Sequence, residues 1–243
     1  MDMRDSVSQG KAYEKVIDYI QGEILKGDLK RGEKLPPERE LAELLGVGRN
    51  SVREAMRTLS LMGFISSTQG AGNFVSCNME KNLAESTRMM MMLNETDYRQ
   101  ISELRQGLES QAILLAAERV NQPQLSRLEQ IAWEMRGAGM EQSVALDKEL
   151  HGIIGEASGN RLIMVILRAL AETIDSFIDD MHRRIMSHEE LGKRLLDSHQ
   201  GIVLSLADRN GPEAVRMMRE HFRVVDEAIF TLVLNPDGTP KND

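Results

Sequence analysis

Apolar residues recur at helical spacing early in the chain. Val16, Ile17, Ile20, Ile24 and Leu25 mark one helix over 12–26. The stretch GDLKRGEKLPP ends it with two glycines and a proline pair. A short helix is expected over 38–45, opened by Pro37, whose fixed backbone suits a first helical turn. Gly46-Val47-Gly48 turns the chain, and a third helix over 50–62 turns Val52, Ala55, Met56 and Leu59 inward before Gly63 closes it. Two β-type runs around a glycine-rich tip, FISSTQGAGNFVS, then read as a hairpin. Beyond Cys77 the pattern changes to long amphipathic helices, expected near 81–93, 97–120, 122–137, 141–157, 161–182, 188–209 and 212–233. The fold class is therefore mainly α: a small α/β head over 1–76, a short linker at 77–80, an all-helical body of about seven helices over 81–233, and a frayed tail at 234–243.

Composition narrows the function classes. With 41% hydrophobic and 28% charged residues among 243, the chain is an ordinary soluble globular protein. Its apolar runs fall far short of the ~18 residues a membrane span needs. The opening MDMRDSVSQG has no signal-peptide core. A single cysteine, Cys77, excludes an internal disulfide framework and fits a reducing compartment, so a cytoplasmic protein without a membrane partner is expected. The net charge of −8 argues at first against a nucleic-acid partner, but it is unevenly placed. Residues 1–76 hold 11 Lys/Arg and 11 Asp/Glu, so the rest carries the whole excess of acid. Within 46–76, Arg49, Arg53 and Arg57 face one acid, Glu54. A locally basic segment on an acidic protein is compatible with DNA.

Two short helices joined by a tight glycine turn and followed by a hairpin match a winged helix-turn-helix. Arg49, Asn50 and Arg53 lie at or near the start of the third helix, the end that reaches base edges when such a helix enters a major groove. Arginine offers two parallel donors to guanine, and Ser51 can bond a phosphate or a base. Gln69 and Gly70 at the hairpin tip are small and polar enough to approach a groove or the backbone. One arginine alone could simply solvate a helix; three spaced by four, between a turn and a glycine-tipped hairpin, favour DNA. The run LPPERELAELLGVGRNSVREAMRTLSLMGFISSTQGAGNFV resembles the DNA-binding head of the GntR family of bacterial transcription regulators. That resemblance covers roughly 11–76 and implies that Arg39, Arg49 and Arg53 contact DNA, with Gln69 and Gly70 in the wing. Gly48 departs from it, standing where related proteins often carry a Ser or Thr that bonds phosphate.

In the body, Asp147 and His151 in LDKELHG are four apart and share one helix face. His199 lies 11 residues before Asn210 and His221 lies 11 after it. If the flanking helices are antiparallel, each histidine is ~16 Å from the turn at about 1.5 Å per residue, and the two imidazoles come level. One Asp and three His make a good divalent-metal set, open to zinc, nickel or manganese. The plain alternative is a hydrogen-bonded or solvated Asp/His pair, the commoner meaning of that spacing. His182 and His188 read as ordinary satisfied residues, Met89–Met92 as flexible packing and Trp133 as a core or helix-contact residue. ISELRQGLESQAILLAAERV, DKELHGIIGEASGNRLI and DSHQGIVLSLADRNGPEAVRMMREHF resemble segments of the helical effector (FCD) domain of the FadR-type branch of GntR regulators, over about 81–233. The resemblance implies that Asp147, His151, His199 and His221 hold a divalent cation, zinc first. It also implies that Arg105 lies near a ligand pocket, where its fork of donors could hold a carboxylate. Members that bind long acyl-CoA chains typically lack the complete set, so this chain resembles the branch that senses small carboxylates.

The expectation is a DNA-binding transcription regulator, a repressor rather than an enzyme. A homodimer would read a pseudo-palindromic operator, controlled by a small organic acid such as a sugar acid or hydroxy acid at the metal. The short segment 76–81 could pass a shift of the body to the head. Two alternatives stand beside it. One is a metallohydrolase carrying a DNA-binding head, with Glu149 or Glu220 as the nearest candidate bases. The other is an acyl-CoA sensor whose metal is structural.

Overall fold

A computed structural model describes residues 3–76, 79–93 and 98–233. The expected tail at 234–243 and the first half of the expected linker, 77–78, lie outside the described residues. By its internal contacts the chain divides into two compact units, Met1–Leu83 and Ala84–Asp243.

The first unit holds α1 (Met3–Lys26), α2 (Glu38–Leu45), α3 (Arg49–Leu61), β1 (Ile65–Thr68) and β2 (Gly72–Val75). Gly46 ends α2 in the left-handed conformation, φ 62°, and donates its N–H back to Ala42 and Glu43. Gly48 then stands extended before α3, with no side-chain cap. The inward positions of α3 are those its period marks: Val52, Ala55, Met56 and Leu59 are buried against Val16, Ile20 and Leu41. The strands pair antiparallel, Ile65 opposite Val75 and Thr68 opposite Gly72, and leave Gln69 and Gly70 exposed at the tip. Gly70 needs its glycine there, with φ at 78°.

The second pattern yields α4 (Met79–Leu93), α5 (Tyr98–Arg119), α6 (Gln122–Glu134), α7 (Met140–Ala157), α8 (Arg161–Thr173), α9 (Asp175–Ser187), α10 (Glu189–Ala207) and α11 (Gly211–Ala228), with a π turn at Ile229–Val233. Asparagines open three of these helices. Asn121 forms a reciprocal box with Gln124, Asn160 accepts from the backbone of Leu162 and Ile163, and Asn210 accepts from that of Glu213. Among the described residues no helix is long and apolar enough to cross a membrane.

The helix expected over 161–182 is two helices, α8 and α9, broken at Ile174 (φ −111°, ψ 19°). No glycine or proline marks the break. Ile174 is buried there, and the Ile174→Leu170 and Ile178→Ile174 backbone bonds, both 2.9 Å, are kept across it. That gives eight α-helices after the wing among the described residues, where about seven were expected. Trp133 is 76% exposed, not a core residue, because its side of α6 faces away from the cluster that buries Leu128, Ile131 and Ala132. Met89 and Met90 are exposed as well, while Met91 packs against apolar neighbours.

Two apolar clusters hold this unit together. Ile113, Leu128, Ile131, Leu150, Ile154, Ile202 and Phe222 belong to the larger; Ile178, Met181, Ile185, Leu195 and Val224 belong to the smaller. α10 and α11 pack along each other, and α5 lies against both α7 and α11. The helix faces that carry the polar residues of interest run between the two clusters: His221 precedes Phe222, and His199 falls between Leu195 and Ile202.

Candidate functional site

At that junction the structure brings together residues from α7, α10 and α11. The rings of His199 and His221 lie 4.7 Å apart between centroids, so the level placement expected on either side of Asn210 is realised. His151 comes within 4.9 Å of His221 and 6.0 Å of His199. One ring nitrogen from each of the three lies within 4.8 Å of the others. Asp147 stands beside this trio, its Oδ1 3.1 Å from His199 Nε2 and 3.9 Å from His151 Nε2.

Hydrogen bonds around the trio set which nitrogens carry protons. His151 Nδ1 donates to Glu109 Oε2, which directs the lone pair of Nε2 into the cluster. Ser198 Oγ gives its single proton to Leu195 O at 2.6 Å, so its 3.4 Å contact with His221 Nδ1 makes that nitrogen the donor and leaves Nε2 the lone pair. His151 Nε2 and His199 Nδ1 are buried without a hydrogen bond, and His199 Nε2 has the Asp147 carboxylate as its neighbour at 3.1 Å. Buried polar atoms cost about 1–3 kcal/mol each when unpaired, so His151 Nε2, aimed into the cluster without a bond, points to a missing partner. Imidazole nitrogens and one carboxylate are a donor set for a divalent metal, and the residues present fit such an ion. The local charge agrees: Glu109 and Asp147 outnumber Arg105 as buried charges here.

Two residues that sequence reasoning did not single out complete the arrangement. Glu109 is buried and splits its oxygens, Oε1 taking Arg105 Nη2 at 2.8 Å and Nε at 3.0 Å, Oε2 taking His151. Burial alone would raise its carboxyl, but the Arg105 guanidinium and His151 hold it down at about 2. The i,i+4 spacing of Arg105 and Glu109 was visible as a helix pair; the reach to His151, 42 residues on, was not. His182, expected to be an ordinary satisfied histidine, is satisfied but not remote. Its Nδ1 is 3.5 Å from Asp147 Oδ1 and its Nε2 2.9 Å from Ser143 Oγ, which orients the carboxylate from behind. His188 accepts a bond from the Leu191 N–H and starts α10.

The same surroundings move the other titrating groups. Burial would raise Asp147, yet His182 and His199 hold it well below the usual carboxylate range. Burial would lower His151, but the neighbouring Glu109 carboxylate raises it. Burial pushes His199 down, and it pushes His221 far down with help from the His199 and His151 charges. A neutral imidazole is the ligand form, so desolvation prepares two of the three.

Beside the cluster lies a cavity of about 200 Å³. Arg105, Asp147 and His151 form its inner end, and α8 and α9 contribute its apolar side through Met164, Leu167 and Ile178. Arg105 stacks on Phe222 with Cζ 5.4 Å from the ring centre, which keeps its fork at the cavity despite the bond to Glu109.

In the first unit, Arg39, Arg49, Asn50 and Arg53 are exposed on α2 and the start of α3, and Gln69 and Gly70 are exposed on the wing. Arg39 and Arg53 make loose contacts with Glu43 (3.9 Å) and Glu38 (3.7 Å), and their side chains are 67% and 69% exposed. Ser51 does not stand with them. It is 5% exposed, because position three of α3 falls on the side that buries Val52 and Ala55, so the DNA contact expected of it is withdrawn from this surface.

The family model described as bacterial regulatory proteins, gntR family, matches residues 12–75, and that of the FCD domain matches residues 100–224. The chain is 28% identical over 229 residues to the uncharacterized HTH-type transcriptional regulator YcbG of Bacillus subtilis (strain 168), covering 93% of each. It is 26% identical to a regulatory protein of Escherichia coli (strain K12) that carries the name of the L-lactate dehydrogenase operon, covering 87% of this chain and 84% of that one. Among solved structures it resembles Streptococcus agalactiae GntR, with a TM-score of 0.64 at 26% identity, over 89% of this chain and 99% of the other.

Proposed function

Because the chain belongs to the gntR family of bacterial regulatory proteins, with an FCD domain following its DNA-binding head, it is a DNA-binding transcription regulator, and we propose that a small carboxylate at a divalent-metal centre controls its hold on DNA. The observation that carries this reading is the buried trio of imidazoles with unbonded nitrogens, lying beside Asp147 and Arg105 at the inner end of a cavity. His151, His199, His221 and Asp147 would hold the ion, zinc before nickel or manganese. The ion would supply positive charge and open positions for the oxygens of an acid. Arg105 would meet the acid's carboxylate with its remaining N–H groups, and the apolar side of the cavity would exclude water from the pair. The named regulator of a lactate dehydrogenase operon among the relatives is in keeping with an acid of this size.

The reading extends to assembly. Two heads (1–76), joined by the linker 77–80 to effector bodies (81–233) paired as a cytoplasmic homodimer, would read a pseudo-palindromic operator as a repressor. The acid changes DNA affinity only as far as it binds one arrangement of the dimer better than the other. A thermal-shift screen of hydroxy acids and sugar acids tests the core of this. A stabilising acid should lose its effect once a chelator has removed the metal; equal stabilisation after chelation would refute the metal-held acid.

Glu109 gives a second test. Glu109→Gln keeps the shape but weakens the charge-assisted hold on His151 Nδ1. Zinc affinity should fall by roughly 10–100-fold, as for other outer partners of ligating histidines. Titration calorimetry with zinc reads it directly, and an unchanged dissociation constant would remove Glu109 from the site.

A further inference from the structure

We propose that the acid recognised in this cavity is a monocarboxylate with a short aliphatic tail, and that Gly152, Met164 and Leu167 set the tail's length. This rests on the metal-held acid described above and narrows its chemistry. At the inner end of the cavity, Arg105, Asp147 and His151 supply all that a carboxylate head and an adjacent hydroxyl require. Away from that end the lining changes character. α8 and α9 present Met164, Leu167, Ala171 and Ile178, and α7 presents glycine at 152 and 155, which leaves room instead of a side chain. A Cβ built on Gly152 would meet nothing within 4 Å, and one on Gly155 would touch Leu167 Cδ1 at 3.6 Å.

Two cations do line this part, Lys148 and Arg168, but each is already matched. Lys148 Nζ lies 2.5 Å from Asp175 Oδ1 and 2.6 Å from Asp179 Oδ1, and Arg168 Nη2 lies 2.5 Å from Glu156 Oε1. With three carboxylates already against these two cations, no unmatched positive charge remains here to hold a second acid group on the tail. A polyol tail fares no better. Away from the inner end, the ion-paired Lys148 and Arg168 carry the only hydrogen-bonding side chains among the described lining residues, so most hydroxyls of such a tail leave water without a new partner. Each one left unpaired weakens binding by roughly fivefold or more. A methylene gains instead, by roughly three- to fourfold in affinity for each one buried.

The test uses the full-length, zinc-loaded protein and titration calorimetry with four 2-hydroxy acids, propanoate to hexanoate, alongside malate and gluconate. Affinity should climb by roughly three- to fourfold per added carbon until the cavity is full, with malate and gluconate weaker than 2-hydroxybutanoate. Gly152→Leu should fill the open space and abolish the gain from the longer tails, weakening 2-hydroxyhexanoate far more than 2-hydroxypropanoate. Met164→Ala, which removes wall and adds no bulk, should flatten the climb. Tighter, metal-dependent binding of malate or gluconate would overturn the aliphatic tail yet leave the metal-held acid standing, as would a flat series. Binding of every acid unchanged by chelator, or of none, would sink both.

Discussion

Alanine at both His199 and His221 should strip the protein of divalent metal. The two imidazoles face each other across the packed pair α10 and α11, with ring centres 4.7 Å apart. Their removal leaves His151 and Asp147, two donors from one helix. Affinity should fall by well over the roughly 10–100-fold that the loss of a single outer partner costs. Stability moves in an informative way. In the metal-free protein these rings are costly: His199 Nδ1 is buried and unbonded, and burial disfavours the charged form of each ring. Taking them out relieves about 1–3 kcal/mol per unpaired group, against a cavity penalty of similar size. Metal-free wild type and variant should therefore melt at similar temperatures. Zinc at 100 times its dissociation constant stabilises by about 2.7 kcal/mol, or roughly 5–10 °C in a chain of this length. That increment should appear in the wild type and vanish in the variant. Elemental analysis after gel filtration gives the blunter check, and equal metal content in both proteins would move the site elsewhere.

How much of this could be read before the fold was known depends on whether a contact runs within one helix or between helices. The face shared by Asp147 and His151 follows from the helical period, and the meeting of His199 with His221 follows from equal distances to one turn. Both are one-dimensional measurements. Glu109 reaching His151 is not, because nothing in the spacing of α5 and α7 says which turns of the two helices come into contact. His182 was obscured in another way. Its approach to Asp147 depends on the direction of α9, which is set at Ile174, a break that keeps its neighbours' hydrogen bonds and has no glycine or proline to announce it. Ser51 shows the converse case. Residue type suggested a contact with DNA, but its place one residue before Val52 turns it into the core side of α3. The two glycines of α7 that open the cavity look in the sequence like weak helix positions, and they acquire a meaning only when α8 is seen opposite them.

The head offers the other large effect. Arg49→Ala should weaken operator binding by about 1–3 kcal/mol, a factor of roughly 5–150, and relax the base preference at one position of each half-site. Arg49 opens α3 exposed, and among the described residues it makes no ion pair, so no bond must be broken before it binds. Arg53, one turn on, is held by Glu38 only at 3.7 Å, with Arg53 well exposed and Glu38 partly so, an attraction worth about 1 kcal/mol at most that DNA can readily outbid. Glu38→Gln should consequently tighten binding slightly, whereas Arg53→Ala should weaken it. The salt dependence separates the possible roles. An arginine on a phosphate contributes about one unit to the slope of log affinity against log salt, equally on every sequence. An arginine on a guanine edge contributes mainly to discrimination. If Arg49→Ala lowers the slope by about one and leaves the preference among operator variants intact, Arg49 is a backbone contact. If it changes neither, the exposed face of α3 is not what meets DNA.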